Sequence, residues 1–237
     1  MPIPVALAAV LVVGASIGFV NGFCMAKFKL HPFIVTLSTQ LITYGLLLLF
    51  LGLGTNNGQT LSGMSEAYRE FVAGELFKVG TTVVPNYVLY SAIIAVVVWI
   101  IWNKTTFGKN MFAVGSNEDA ANVSGVNVTK TIIMVFMMAG MLYALTGFFD
   151  AARIASVNAT TGLNYESDAI AACVIGGISF VGGIGKVSGA IIGVLLLQVI
   201  FVGLNFLSVD PNLLYIVKGL IILVACTIDM RKYLVRK

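Results

Sequence analysis

Apolar residues in this chain come in long unbroken runs, and the polar residues collect between them. Seven runs approach the roughly 20 residues that a helix needs to cross a bilayer core: 3–25, 33–53, 87–102, 131–149, 169–184, 187–206 and 213–228. The runs are continuous rather than alternating, which predicts helices and argues against strands. The fold class that follows is all-α, a polytopic transmembrane bundle of about seven spans forming one domain over 1–237. The third, fifth and seventh runs are short. The fifth is also rich in glycine, so its span is expected to be broken or tilted.

Two polar interruptions carry patterns of their own. Residues 103–130 read NKTTFGKNMFAVGSNEDAANVSGVNVTK. Ser116, Asn117, Glu118 and Asp119 supply capping side chains and put acids in a first turn. Ala120, Ala121, Asn122 and Val123 continue it, and Gly125 ends it. This predicts a short helix at the membrane surface, suited to docking a soluble partner. In residues 54–86, Met64, Ala67, Tyr68, Phe71, Val72, Leu76 and Val79 fall at helical spacing, with Ser65, Glu66, Arg69, Glu70 and Lys78 on the other face. That predicts an amphipathic helix on the outer surface, either a cover for the spans or part of a landing surface for an external protein.

Small residues mark expected helix contacts. Gly14, Gly18 and Gly22 share one face of the first span, and Gly185, Gly189 and Gly193 repeat the spacing around the sixth. Lipid tails are as apolar as leucine, so helices associate in membranes through close approach at such residues. The pattern leaves open whether the contact lies within one chain or between two.

Composition agrees with a membrane protein. Of the 237 residues, 59% are hydrophobic and 10% charged, against about 25% charged in soluble domains; mean hydropathy is +0.99. Alternating seven spans back from an inside C-terminus places Lys27, Lys29, Lys104, Lys109, Lys130, Lys186, Arg231, Lys232, Arg236 and Lys237 inside. Only Arg69, Lys78 and Arg153 fall outside, and Lys218 lies in the last span. The positive-inside rule selects this orientation, with 103–130 in the cytoplasm and the N-terminus outside. The apolar run follows Met1 with no basic start and no signal peptide, which reads as the middle of a longer protein with upstream spans. The basic residues are dispersed, so no nucleic-acid partner is expected.

The chemistry-bearing residues exclude more than they offer. Cys24, Cys173 and Cys226 lie in apolar runs without metal-ligand spacing, and His31 is the only histidine; no metal, cofactor or catalytic residue is expected. The run Gly176–Lys186 invites a phosphate-loop reading. The loop needs glycine five residues before its Gly-Lys, where Phe180 stands, and Ser or Thr after the lysine, where Val187 stands. Any ATP is therefore hydrolysed on another chain. An ion-coupled carrier would want acids or histidine deep in the spans. Lys218 is the exception among ionisable residues; it sits near the outer end, where snorkelling accounts for it. Asp150, Arg153, Glu166 and Asp168 bracket the outer loop after the fourth span, able to pair or to meet a partner.

Three blocks carry a family resemblance over essentially the whole chain. Asn103-Lys104-Thr105, then Phe107–Gly115, Asn117–Ala121 and Ser124-Gly125-Val126 resemble the cytoplasmic coupling loop of sugar ABC-transporter permeases of the ribose/galactose branch. Pro32–Leu37 resembles that family's opening of a span. Asp168–Ala172 with Gly176–Ser179 and Gly182-Gly183 resembles its "DAIAAxxxGGxSxxGG" block. Trp102–Thr105, Val123–Val128 and Tyr215–Gly219 resemble the galactoside-type members in particular. The resemblance implies a non-enzymatic permease subunit of an ABC importer in the bacterial inner membrane, moving a monosaccharide or small glycoside. Two such subunits would line the pathway, with ATPase subunits below and a periplasmic sugar-binding protein above. It implies that Gly115, Asn117, Glu118, Asp119, Ala120, Ala121, Ser124 and Gly125 couple to the ATPase. Asp150, Arg153, Asp168 and Lys218 are candidates for contact with the pathway or a partner. Family members begin upstream of this chain, with further spans. The alternatives are a secondary carrier or channel, or an inactive remnant of a permease.

Overall fold

The computed structural model describes residues 1–53, 60–80, 82–179 and 181–234. Residues 54–59 of the outer segment, Phe180 in the glycine block, and Arg236 and Lys237 of the basic tail lie outside the described residues. Among those described, five helices are long and apolar enough to cross a membrane: α1 (Ile3–Phe28), α2 (Pro32–Gly52), α4 (Asn86–Lys104), α7 (Val128–Ile154) and α9 (Val187–Phe206). The seventh run lies within α10 (Pro211–Leu234), of 24 residues. The remaining helices are α3 (Glu66–Ala73), α5 (Thr106–Ser116), α6 (Glu118–Val123) and α8 (Tyr165–Ile175).

The fifth run is broken. Helix α8 has 11 residues, about 16 Å of rise against an apolar core of about 30 Å. It stops at Gly176, the next residue Gly177 takes φ +78°, and the described residues between there and α9 form no helix or strand.

Contacts group the residues into two compact units, Met1–Val97 with Val126–Thr161 and Val98–Gly125 with Gly162–Lys237. In the first, α1 and α7 run antiparallel at close range. Gly14, Gly18 and Gly22 are buried on the helix face toward α7. A methyl group at Gly14 would fall 2.6 Å from Ala144 Cβ, at Gly18 2.8 Å from Met137 Cα, and at Gly22 2.7 Å from Ile133 Cα. Gly140 is the reciprocal gap on α7, where a methyl would meet Gly14 and Gly18. Only glycine lets the two backbones come this near.

The outer segment differs from the single amphipathic helix expected. Helix α3 has eight residues, and Leu76, Lys78 and Val79 lie in a strand, β2 (Glu75–Val79), paired antiparallel with β3 (Thr82–Pro85). A second small pair joins β1 (Leu61–Ser62) to β4 (Ser156–Val157). Strands therefore do occur, outside the spans. The helix stops at Gly74, packed against Asn86, whose side-chain amide donates to the carbonyls of Glu70 and Phe71 at 3.3 Å. Tyr90 donates to the same Phe71 carbonyl at 3.1 Å. These bonds satisfy carbonyls that the helix end leaves without partners. Beyond Gly74 the β-branched Val79, Thr82, Val83 and Val84 favour extended chain. The apolar face of α3 is seated: Val72 is fully buried with Ala6, Phe148 and Ala152, and Tyr68 and Phe71 pack beside them.

In the second unit α8 runs antiparallel to α9. Gly189 and Gly193 of α9 face Gly176 and Ala172, and a methyl at Gly193 would lie 2.8 Å from the Gly176 nitrogen. Gly185 precedes α9, and a methyl there would meet the Ile178 side chain, so it stands outside the helical spacing of Gly189 and Gly193.

Candidate functional site

Residues 103–130 fold as two short helices with a shared cap. Thr105 opens α5: its hydroxyl accepts the Gly108 N–H at 3.1 Å and donates to the Ile101 carbonyl at 2.6 Å. Asn117 closes α5, its N–H donating to the Ala113 carbonyl, and opens α6 by accepting the Ala120 N–H on its side chain at 2.9 Å. Glu118 and Asp119 occupy the first turn of α6, where their charge suits the helix dipole. Ser124 donates to the Ala120 carbonyl at 2.8 Å, and Gly125 leaves the helix at φ +83°, a conformation natural to glycine. Asn127 then caps α7 through the Lys130 N–H at 2.9 Å. Helix α6 needs this many local bonds because six residues are far too few to hold a helix in water alone.

One side chain of α6 anchors it: Ala121 is 3% exposed. Glu118, Asp119, Ala120, Asn122 and Ser124 face solvent, and Val123 is 89% exposed. A surface helix with two acids and a bare valine offers both charge and apolar contact to a soluble protein. Helix α5 is not predicted by the sequence pattern. Its signal was Thr105 at a cap position, obscured by Gly108 and Gly115 inside the segment. Gly115 is drawn away from α6: it lies against Gly182 and Gly183, which follow the break after α8.

Each of the two units holds one ion pair made from the four charged candidates. On α7, Arg153 donates to Asp150 at 2.8 Å and lies over the Tyr87 ring at 6.0 Å. On α8 and α10, Lys218 sits 2.6 Å from Asp168, its ammonium also 4.8 Å from the centre of the Phe201 ring and 5.7 Å from that of Tyr215. Lys218 therefore ends on a carboxylate in the first turn of α8, with two aromatic rings beside its ammonium. A third polar link has no counterpart in the sequence pattern: the Ser179 hydroxyl donates to Asp229 of α10 at 2.9 Å.

Broken and continuous apolar helices, glycine-packed, with a capped polar loop between two of them, are the build of a multi-pass membrane protein. The chain belongs to the family described as branched-chain amino acid transport system / permease component, whose model matches residues 1–226. It is a multi-pass protein of the bacterial inner membrane and a transport component. It is 46% identical over 237 residues to the galactose/methyl galactoside import permease protein MglC of Haemophilus influenzae, covering all of this chain and 70% of that protein. The permease of the same description from Escherichia coli (strain K12) is 44% identical over 241 residues, with the same coverage of both chains. The ribose import permease protein RbsC of Bacillus subtilis (strain 168) is 37% identical over 212 residues, covering 90% of this chain and 63% of that one. No solved structure matches. Permease components of ABC importers work with an ATPase and a periplasmic binding protein.

Proposed function

We propose that this chain conducts galactose or a methyl galactoside inward, driven by an ATPase on a separate chain that grips α6. The observation that carries the coupling role is the construction of α6, a two-turn helix capped at both ends and anchored by Ala121, with Glu118, Asp119 and Val123 free to be touched. A rigid, externally exposed helix accepts a push that a floppy loop would absorb. The distribution of Lys and Arg supports a cytoplasmic position for 103–130. The sugar is read from the relatives' printed names, galactose and methyl galactoside at 44–46% identity against ribose at 37%.

The pathway is formed between two copies of the permease embedded in lipid. A periplasmic sugar-binding protein lands on the outer face, where α3 and the β2–β3 hairpin provide a surface. Nucleotide is bound and hydrolysed by the partner.

The test is uptake of labelled galactose, methyl galactoside and ribose by vesicles holding the permease, its ATPase and its binding protein. ATP-dependent galactose uptake that Glu118→Lys and Gly125→Trp both reduce, together with weaker capture of the ATPase, is the expected result. Unchanged capture by both variants removes the coupling assignment, and preference for ribose removes the sugar assignment.

A further inference from the structure

The geometry points to Ser179 and Asp229 as positioning residues that carry displacement of the coupling helix into α10, through a backbone joint of Gly115, Gly182 and Gly183. This rests on α6 being the element the ATPase moves. Helix α5, which shares the Asn117 cap with α6, ends on that joint. A methyl at Gly115 would lie 2.9 Å from the Gly183 nitrogen, one at Gly182 2.7 Å from the Gly115 carbonyl oxygen, and one at Gly183 2.8 Å from Ser116 Cα. Gly182 and Gly183 take φ +106° and +70°, values that other residues rarely adopt. The joint is thus backbone on backbone at Gly115 and Gly182, and at Gly183 the short Ser116 side chain also presses in, which leaves little room to soak up a displacement.

The loop that bears the two glycines is closed on itself at Ser179. The Ser179 N–H donates to the Ile184 carbonyl at 3.0 Å, and its hydroxyl oxygen accepts the Val181 N–H at 3.2 Å. Ser179 is buried, and the same hydroxyl donates to Asp229. A shift of Gly182 and Gly183 therefore drags the Ser179–Asp229 bond with it.

Position along α10 gives that bond its leverage. Asp229 lies eleven residues after Lys218, which is three helical turns and about 16 Å, so both residues sit on one face. Asp168 and Ser179 are also eleven residues apart in the α8 segment. The segment is fastened to α10 at one end by Asp168–Lys218 and at the other by Ser179–Asp229. A push at the Ser179 end is passed to a rigid helix whose far end holds the ion pair. The quantity that reads this linkage is the coupling of hydrolysis to transport.

That quantity is sugar moved per ATP hydrolysed by the complete importer in vesicles, alongside ATPase capture. Ser179→Ala and Asp229→Ala are expected to bind the ATPase like the parent and to hydrolyse ATP. Sugar moved per ATP should fall about tenfold, the scale of one hydrogen bond to a carboxylate. Ser179→Thr, which keeps the hydroxyl, should recover it. Gly183→Ala should reproduce the loss from the other side of the joint. An unchanged ratio in both alanine variants overturns the proposal. So does loss of ATPase capture in Ser179→Ala, because the bond would then hold up the fold rather than carry motion. Failure of the α6 reading is told apart by Glu118→Lys: unchanged capture there removes the premise, whatever the Ser179 variants do.

Discussion

The Lys218 ammonium rests 2.6 Å from the Asp168 carboxylate while facing the Phe201 ring at 4.8 Å. The pair ties the start of α8 to α10, and neither partner is fully exposed, at 19% and 35% for the two side chains. Removing one member leaves the other in apolar surroundings with no counter-charge. Fully buried pairs lose about 3–5 kcal/mol this way; partial exposure reduces that here to about 1–2 kcal/mol. Lys218→Met and Asp168→Asn should each lower thermal stability in detergent. The exchanged double variant, Asp168→Lys with Lys218→Asp, should be more stable than the sum of its single changes. Strict additivity would show that the pair contributes nothing.

The antiparallel contact of α1 and α7 makes a prediction about placement rather than chemistry. Ala at Gly18 puts its methyl 2.8 Å from both the Phe136 carbonyl carbon and Met137 Cα, whereas Gly45 and Gly219 have nothing within 4 Å. Gly18→Ala should therefore cost about 1–3 kcal/mol as overpacking. Gly45→Ala and Gly219→Ala should be neutral or slightly stabilising, since glycine within a helix is itself unfavourable by about 1 kcal/mol. Unfolding measurements in detergent on the three variants check the order. Equal effects at all three would mean that the α1–α7 contact is looser than described.

Seating of α3 is tested at Val72, which is fully buried. Val72→Asp places a carboxylate among the apolar side chains of Ala6, Phe148 and Ala152, and should destabilise strongly, by more than about 3 kcal/mol. Val72→Ile should be tolerated far better. If α3 were merely lying on lipid, both changes would be mild and protease access to 60–80 would not alter.

What the chain revealed in advance follows from the range of the forces involved. Spans were legible because lipid demands unbroken apolar surface, so 187–206 is read to the residue. The cap of α6 was legible because capping is local: Asn117 lies three residues from the N–H it accepts. The outer hairpin was hidden because Leu76 and Val79 prolong a helical spacing that Gly74 and the Asn86 side chain cut short. Lys218–Asp168 and Ser179–Asp229 join residues 50 apart, and their meeting depends on where α8 breaks. Asp229 gave no signal, being adjacent to the end of the last run and two residues from Arg231, where it reads as an ordinary charge at the membrane edge.

Two residues of α6 should separate docking from folding. Val123 is 89% exposed and Ala121 3%, although they are two positions apart on a helix of six. Val123→Lys removes an apolar contact and adds charge without touching the interior. It should leave stability within about 0.5 kcal/mol, as surface changes do, yet weaken ATPase capture at least tenfold if the valine sits near the centre of that interface. Ala121→Leu instead forces three extra carbons into an occupied space and should lower stability and capture together. Asn117→Ala falls between them: the lost cap is worth about 1 kcal/mol, and Asn117→Asp should restore it because the carboxylate also accepts the Ala120 N–H. Faster amide exchange at Ala120 in Asn117→Ala would locate the loss in the first turn of α6. Capture of the ATPase unaffected by Val123→Lys, in a protein of unchanged stability, would mean that the partner grips the loop elsewhere.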